Sequence, residues 1–370
     1  QTYAEYCARI KSGGPPKLVV IIDEAQFVAK RDTSFMEAVA KLKKHKLYPG
    51  PVLIILATSS TVWATQEAAE QFKGAEMKLE SLNFLEVVRH FESLPVAEIV
   101  RIYGAIGGVP AYLDKWDAAK SFKDNICRLV LTPSGALYGE ADAVISSELR
   151  ELSAYSTILA AIARGENKLN DIFHATGFSR AKISVYLKNL AAFNIVEKVV
   201  SFETGGWENA KKGVYQIKDT FVNFWFKFVY PNMSNLYLLS PEEFYDTYIE
   251  KELDAYLERY FREVCTEYLL ILNQMGQLPF TIKRVGTWIG KTGRIDIVAQ
   301  SEDRRSIIGF CNWDKPMMTM DMCENMAIAM DQARLTSDDY YLFSATDFEP
   351  ALQSYVVRDP RFKLINMNEL

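Results

Sequence analysis

Two adjacent carboxylates near the start of the chain are the residues best suited to chemistry. The segment Lys17-Leu-Val-Val-Ile-Ile-Asp-Glu-Ala-Gln-Phe27 places Asp23 and Glu24 directly after an apolar run. Such a run predicts a fully buried strand, and ligands of open α/β sheets bind beyond the carboxyl ends of the strands. In phosphoryl transfer, Asp23 is suited to holding Mg²⁺ through water and Glu24 to polarising the attacking water. A helix N-terminus that favours acids is the alternative explanation of the pair.

A second apolar run supports the prediction of a parallel sheet. Leu53-Ile-Ile-Leu-Ala-Thr-Ser-Ser60 is separated from the first run by a helical pattern over Ser34 to Lys46, which is a βαβ signature. The run ends in three hydroxyl residues, Thr58, Ser59 and Ser60. Taken alone, these residues are equally typical of a helix N-cap.

The loop that grips phosphate in P-loop enzymes is not found in this sequence. It requires the pattern GxxxxGK[ST], in which backbone N–H groups cradle the phosphates. The nearest match, Gly286-Thr-Trp-Ile-Gly-Lys-Thr292, has three residues between its glycines and lies between two predicted strands, so we interpret it as a hairpin turn. In such folds the loop precedes the acidic strand, and we therefore expect it upstream of Gln1. The chain by itself is predicted to bind ATP poorly.

Composition sets broad limits on the class of protein. The 370 residues are 49% hydrophobic and 24% charged, which predicts an ordered protein of two or three domains. A net charge of −5 gives no global attraction to nucleic acid. No run approaches the roughly 20 apolar residues that cross a bilayer, and the five cysteines show no CxxC spacing. We predict a cytoplasmic protein without membrane contact.

Pattern changes divide the chain into four blocks. They are residues 1–80, with the two strands, residues 81–150, which are helical, residues 151–235, and residues 236–370. The last block begins with a long amphipathic helix and continues with three strands. The predicted fold class is α/β.

The third block has the pattern of a winged helix. Helices are predicted over Leu152–Arg164, Leu169–Thr176 and Ser179–Leu190, and strands over Ile195–Glu203 and Val214–Lys218. Ile183, Leu187 and Leu190 share the inward face of the third helix. The residues predicted to face DNA are Ser179, Arg180, Lys182 and Tyr186 on the third helix, and Lys211 and Lys212 at the turn of the wing. Docking of a protein partner is the alternative use of this block.

Several short segments, taken in order, resemble a known family. They are Val19–Phe27, Leu53–Ser60, Met77–Glu86, Gly107–Leu113, Phe221–Tyr230, Phe261–Leu270, Arg294–Val298 and Ile308–Trp313. In this order they resemble the prokaryotic, archaeal-type AAA ATPases, relatives of the signalling (STAND) NTPases, with a winged helix and a PD-(D/E)XK nuclease-like domain. The resemblance implies that residues 1–80 are the later part of a P-loop core with its Walker B strand, that residues 81–150 are a lid, and that ATP and Mg²⁺ are the cofactors. It also implies a polar sensor of the γ-phosphate among Thr58, Ser59 and Ser60.

For residues 236–370, the resemblance implies a nuclease fold with a degenerate site. Asp296 stands at the position of the first metal-binding acid, and Glu263 at that of the helix acid. The Glu-x-Lys position is occupied by Phe310 and Asn312, neither of which supplies the charge of the residue it replaces. We therefore expect a retained fold without nuclease activity.

Two functions remain open from the sequence. The first is an ATPase whose nucleotide state is coupled to a DNA-binding winged helix and a nuclease-like tail. The second is a non-enzymatic regulator, built on the same scaffold, that binds DNA or protein. DNA, a protein partner and a second copy of the chain are the partners expected.

Overall fold

The computed structural model describes residues 18–44, 51–60, 62–72, 74–146, 149, 151–202, 213–290 and 293–370. The chain divides into two compact units, Gln1–Glu80 and Ser81–Leu370. Within the ranges just given, no helix combines the length and the apolar character needed to cross a membrane.

The first unit is built on two parallel strands, β1 (Leu18–Ile22) and β2 (Val52–Leu56), paired in register from one end to the other. Helices α1 (Ala25–Arg31) and α2 (Phe35–Lys44) lie between them in the chain. A π-helical segment, Trp63–Ala68, follows β2 and continues as α3 (Ala69–Phe72). The parallel pairing predicted from the βαβ pattern is confirmed.

The prediction that β1 is fully buried is wrong. The side chains of Val19 and Ile21 are 50% and 65% exposed, whereas Leu18 is buried. The core of this unit gathers around Ala25 and Trp63 on one side of the strands. Since successive residues of a strand point to opposite faces, that core covers only every second side chain of β1.

The second unit begins with helices and continues as three further helices and a hairpin. Its first helices are α4 (Phe84–His90), α5 (Val96–Ile106), α6 (Pro110–Leu113), α7 (Phe122–Ile126), which continues as the π-helical segment Cys127–Leu131, and α8 (Glu140–Ser146). The next elements are α9 (Leu152–Ala163), α10 (Leu169–Thr176), α11 (Arg180–Ala192), β3 (Val196–Val200) and β4 (Gly213–Ile217). Strands β3 and β4 pair antiparallel, with Val196 opposite Ile217.

An aromatic stretch leads from this hairpin into a long helix. The stretch comprises α12 (Thr220–Phe224), the π-helical segment Trp225–Val229, the 3₁₀ turn Tyr230–Asn232 and α13 (Met233–Leu236). After it come α14 (Pro241–Tyr248) and α15 (Glu250–Gln274). Phe221, Phe224, Trp225, Phe226 and Phe228 are all buried, so the aromatic run forms core, as its helical spacing predicted.

A five-stranded mixed sheet completes the unit. Its strands are β5 (Arg284–Ile289), β6 (Arg294–Gln300), β7 (Ser306–Asn312), β9 (Asp339–Ser344) and β11 (Phe362–Asn366), in the order β11-β9-β7-β6-β5. Strands β5 to β7 are antiparallel neighbours, whereas β9 runs parallel to β7 and to β11. The elements between them are β8 (Met317–Met318), α16 (Met320–Ala333), β10 (Asp347–Phe348) and α17 (Pro350–Arg358), and the 3₁₀ turn Met367–Glu369 follows β11.

The sheet separates two hydrophobic cores. Ile297, Ala299 and Ile307 contribute to the larger core, which also contains the buried residues of α5, α9, α11, α12 and α15. Ile295 and Val298 contribute to the smaller core, with the methionines of α16. Because the larger core is continuous, the helices from α4 onward, the β3–β4 hairpin and the sheet are packed as one unit.

A single carboxylate links α15 to the start of α4. Glu267 accepts hydrogen bonds from the backbone N–H groups of Phe84 and Leu85, at 3.0 and 3.1 Å. These groups lie in the first turn of α4, where N–H groups have no partner within the helix and where the helix dipole favours an anion. Asn83 and Glu86 complete the cap with a reciprocal capping box. The contact is thus a helix cap supplied from 183 residues away in the chain.

Replacing Glu267 by alanine should lower the free energy of unfolding by about 1–2 kcal/mol, the usual cost of losing a helix cap. Chemical denaturation followed by circular dichroism measures the change. Glu324→Ala, an exposed glutamate on α16, is the matched control and should be nearly neutral. Equal stabilities of the two variants would show that the Glu267 contact contributes nothing.

Candidate functional site

The two acids predicted as catalytic follow β1 and precede α1. Asp23 is exposed, and its Oδ1 accepts a hydrogen bond from the backbone N–H of Glu24 at 2.9 Å. Glu24 has φ 48° and ψ 44°, in the left-handed region that costs a non-glycine residue about 1–2 kcal/mol. This backbone turn places both carboxylates at the strand end.

The carboxylate of Glu24 is held by groups from α1 and from the end of β2. Its Oε2 accepts hydrogen bonds from Gln26 Nε2 at 2.5 Å, from Ser59 Oγ at 2.9 Å and from Ser59 N at 3.3 Å. Because β1 and β2 are parallel, their carboxyl ends lie side by side, and Ser59 reaches Glu24 across that edge. Hence the structure brings together two residues that are 35 positions apart.

Gln26 is a member of this cluster that the sequence analysis did not single out. Its side chain is only 2% exposed; Nε2 donates to Ser59 Oγ at 3.1 Å, and Oε1 accepts from Thr58 Oγ1 at 2.6 Å. It therefore connects Thr58 indirectly to Glu24. The available signal was an amide two residues beyond an acidic pair, which is too common a pattern to be informative alone.

The three hydroxyl residues predicted as sensors have different positions. Ser59 contacts Glu24 directly, and Thr58 contacts it through Gln26. Ser60 is buried, and its Oγ accepts a hydrogen bond from the backbone N–H of Trp63 at 3.3 Å. Ser60 thus contacts the first residue of the helical segment that follows β2.

Hydrogen bonding keeps Glu24 ionised. The hydrogen bond from Gln26, followed by those from Ser59, lowers the pKa of the Glu24 carboxyl below its ordinary 4.5, while burial acts in the opposite direction. At neutral pH this strand edge carries the Glu24 carboxylate beside the exposed Asp23. Chemically, the pair is suited to attracting a hydrated divalent cation and to orienting a water molecule.

A second cluster of charged side chains surrounds Asp296. A β-bulge sets the orientation of the Asp296 side chain. Between the pairs Gly286–Val298 and Trp288–Ile295, Thr287 of β5 stands opposite two residues of β6, Asp296 and Ile297. Thr287 Oγ1 donates to the carbonyl of Asp296 at 2.9 Å. A bulge re-aims side chains, and here it leaves Asp296 on the side of the sheet covered by α15.

Two arginines, rather than a second acid, face Asp296. Its Oδ1 lies 3.3 Å from Arg294 Nε and 3.7 Å from Arg262 Nε, and its Oδ2 accepts from the backbone N–H of Cys311 at 3.1 Å. Burial raises the pKa of the Asp296 carboxyl, while the two guanidinium groups counteract part of that rise. Arg262 belongs to α15, so its pair with Asp296 attaches that helix to the sheet, whereas Arg294 lies on the same strand as Asp296.

The other residues of the predicted nuclease site are not brought to Asp296 as metal ligands. Glu263 accepts from Arg259 Nε at 2.8 Å. Asn312 is 2% exposed and donates to Ser344 Oγ at 3.0 Å, while Phe310 packs against the smaller core. No group of three or more His, Cys, Asp or Glu side chains suited to a metal occurs in the described part of the chain.

The basic side chains at the start of α11 are exposed, and they also contact neighbouring side chains. Ser179 caps the helix, its Oγ accepting from the backbone N–H of Lys182 at 3.3 Å. Arg180 donates from Nε to Asn170 Oδ1 at 2.9 Å and lies 4.1 Å from the ring centre of Phe173. Lys182 lies over Phe178 at 4.5 Å. Lys211 and Lys212 lie outside the described residues.

The predicted outward orientation of Tyr186 is wrong. Its side chain is 8% exposed, its hydroxyl is hydrogen-bonded to Glu151, and its ring centre lies 4.4 Å from that of Tyr155. Tyr186 follows Ile183 by three positions, which on a helix places it beside the buried face. The exposed face instead carries Val185 and Lys188, which the sequence analysis missed, together with Ala181 and Ser184.

Comparisons with known proteins locate similarity without naming an activity. Residues 225–327 match the DUF234 family, described as archaeal and bacterial proteins of unknown function. The match includes α15, β5 to β7 and Asp296, and it does not reach Asp23 and Glu24. The chain is also 28% identical over 303 residues to an uncharacterized protein, MJECL04, of Methanocaldococcus jannaschii, covering 80% of this chain and 67% of that protein.

One solved structure, protein VC1899 from Vibrio cholerae, aligns with 95% of this chain and 88% of its own. The identity is 10% and the TM-score is 0.23, a value at which the alignment carries no argument about the fold.

Replacing Ser59 by alanine should raise the pKa of Glu24 toward 4.5, because the hydroxyl and its hydrogen bond to the carboxylate are lost. Carboxyl ¹³C shifts of Glu24 followed by NMR as a function of pH measure this directly. Ser34→Ala is the matched control, since Ser34 donates to Asp32 instead, and the titration of Glu24 should then be unchanged. An identical Glu24 titration in wild type and Ser59→Ala would remove Ser59 from the cluster.

Proposed function

We propose that this chain is the C-terminal portion of an AAA-like P-loop ATPase that couples its nucleotide state to a DNA-binding winged helix and a nuclease-like tail. When ATP and Mg²⁺ are bound, Asp23 would be the residue that holds the metal, which would neutralise charge on the phosphates. Glu24 orients and polarises the water that attacks the γ-phosphate. Ser59 and Thr58 serve as the polar sensor on the neighbouring strand.

The observation that carries this proposal is the hydrogen-bonded Glu24 carboxylate at the joint end of two parallel strands. Its three contacts with Gln26 and Ser59 fix its direction. A general base must be ionised and positioned before it can activate water, and the lowered pKa of Glu24 meets the first condition. Gln26 is then a positioning residue, because it contacts both Glu24 and Ser59.

On this proposal, the glycine-rich segment that begins at Gly286 is not the phosphate loop of the ATPase. The closest sequence match, beginning at Gly286, lies in β5, whose neighbour β6 is antiparallel. Gly290 donates its N–H to the carbonyl of Gly293 at 2.9 Å, next to the pair of Ile289 with Arg294. A phosphate loop needs a helix N-terminus after its strand, and a β-hairpin offers none.

The helices α9 to α11 and the hairpin β3–β4 are proposed to be the winged helix. Their order, three helices followed by an antiparallel pair, supports this assignment. Lys182 and Lys188 are positioned for phosphate contacts, while Ser184 and Val185 are positioned for base edges in the major groove.

The five-stranded sheet with α15 is proposed to be a nuclease-like domain that has exchanged metal binding for ion pairing. A nuclease centre gathers negative charge around a cation. Here the buried Asp296 is flanked by Arg262 and Arg294, so the charge that a metal would supply is already supplied by the protein.

Two sets of contacts support mechanical coupling within the second unit. Phe202, just beyond β3, donates its backbone N–H to the carbonyl of Thr287 in β5 at 2.8 Å, and Ser201 Oγ accepts from the backbone N–H of Ile289 at 2.8 Å. The β3–β4 hairpin is therefore tied to the edge of the sheet. Through Glu267, α15 is likewise tied to α4, so that a movement of the proposed lid would be transmitted to the sheet.

A non-enzymatic regulator that binds DNA or protein is the second candidate. The observation that favours it is that two arginines face Asp296, so that ion pairs occupy the place where a nuclease would hold its metal. On this alternative, Asp23 and Glu24 are remnants and α11 carries the function.

Replacing Glu24 by glutamine should reduce ATP turnover of the longer native protein by roughly 10²–10⁴-fold, the usual contribution of a positioned general base. Turnover is measured as phosphate release with Mg²⁺. Glu37→Gln is the control, because Glu37 is an exposed residue of α2 paired with Lys41, and it should retain wild-type turnover. Unchanged turnover in Glu24→Gln would eliminate the proposed mechanism and favour the regulator.

Replacing Lys182 and Lys188 together by alanine should weaken binding to duplex DNA and reduce the slope of log affinity against log salt by roughly two, because two phosphate contacts are lost. Fluorescence anisotropy over a salt series measures both quantities. The pair Lys251→Ala and Lys283→Ala removes the same charge from exposed positions elsewhere. If both pairs change binding equally, α11 is not the DNA-binding helix.

A further inference from the structure

A cavity of about 530 Å³ opens beside α7 and its π-helical continuation. This volume lies in the usual range of small-molecule sites, roughly 300–1,000 Å³. Its charged lining consists of three cations, Lys115, Lys120 and Arg128, and two carboxylates, Asp124 and Glu242. Three positive charges against two negative ones leave an excess of one positive charge.

A fully buried asparagine organises the segment that carries these cations. Asn125 is 0% exposed; its Nδ2 donates to the carbonyls of Asp117 at 2.9 Å and Ser121 at 3.2 Å. Its Oδ1 accepts from the backbone N–H of Asp117 at 3.0 Å and from Arg128 Nη2 at 2.9 Å. The amide thus holds the loop around Asp117 and the guanidinium of Arg128 in one fixed arrangement.

Arg128 is held in place without being neutralised. Its Nη2 donates a further hydrogen bond, to the carbonyl of Lys115 at 2.8 Å. Both of its fixed contacts are neutral oxygens, and no carboxylate of the described residues forms an ion pair with Arg128, Lys115 or Lys120. By contrast, nearby Lys123 is paired with Asp246 at 2.5 Å.

The remaining wall is a tight turn with an exposed hydroxyl. Gly135 donates its N–H to the carbonyl of Thr132 at 2.7 Å, and a Cβ at Gly135 would lie 2.5 Å from the carbonyl oxygens of Arg128 and Leu129. Ser134 is exposed on this turn. The thiol of Cys127 also lines the cavity, and because burial raises its pKa to about 12, it adds no negative charge.

We propose that this cavity binds the phosphate group of a phosphate ester. Arg128 supplies a fixed guanidinium charge whose Nε and Nη1 hydrogens are not used by these two contacts, while Lys115 and Lys120 act as mobile point charges. Ser134 supplies a hydroxyl donor. A free nucleotide and a nucleic-acid strand both present this chemistry. The proposal does not depend on hydrolysis at Asp23 and Glu24.

The test uses the full chain carrying Lys115→Gln and Lys120→Gln, two exposed positions whose replacement leaves the core intact. Binding of AMP is measured by calorimetry, and binding of a labelled, short single-stranded oligonucleotide by anisotropy. At least one of the two should bind the wild-type chain and lose about tenfold in affinity in the variant, equivalent to about 1.4 kcal/mol. AMP binding identifies a nucleotide site, and binding of the oligonucleotide alone identifies a strand site.

The control pair Lys251→Gln and Lys283→Gln removes the same charge from residues that do not line the cavity. It should leave the affinity for AMP and oligonucleotide unchanged. Binding that is absent for both probes, or that falls equally in the two variants, overturns the proposal. ATP turnover of the longer native protein is followed in parallel with the Glu24→Gln variant. Its outcome separates failure of the ATPase proposal from failure of this one.

Discussion

Burial of the long helix α15 is the constraint on which the second unit depends. Leu257, Tyr260, Phe261, Val264 and Leu269 are almost wholly buried and form one broad face of this helix. The approach of α5 is so close that a Cβ at Gly104 would lie 2.4 Å from Leu257 Cδ2. A helix buried to this extent needs neighbours on several sides. The N-terminal helices supply some of them, and the sheet supplies the rest, through Arg262 and Asp296.

The carboxylates of Glu24 and Asp296 have different roles because their neighbours differ. Glu24 lies near solvent and accepts hydrogen bonds from an amide and a hydroxyl, so its carboxylate is stabilised without losing its attraction for a cation. Asp296 is buried, and two guanidinium groups satisfy its charge. A carboxylate already paired in a buried site has little left to offer a metal. This difference makes Glu24, and not Asp296, suited to attracting a metal ion and activating water.

Much of the local structure was predictable from the order of residues. The alternation of apolar runs with helical patterns predicted β1, β2 and their parallel pairing, and the ends of α9, α10 and α11 were predicted within two residues. The spacing of Phe221, Phe224 and Phe228 predicted their burial. These features depend on residues close together in the chain, where helical and strand periodicity are direct consequences of backbone geometry.

Details of the sites were harder to predict because they depend on contacts between distant residues. The position of Tyr186, three residues after Ile183, allows it to be buried, and its contacts with Tyr155 and Glu151 hold it there. Gln26 belongs to the Glu24 cluster because it also contacts Ser59. The side chain of Asp296 lies on the α15 side of the sheet because of the bulge opposite Thr287. The sequence by itself determined which side chains carry charge and which segments form helices and strands. Only the tertiary structure decided which charges are paired, because that depends on the few ångströms between elements far apart in the chain.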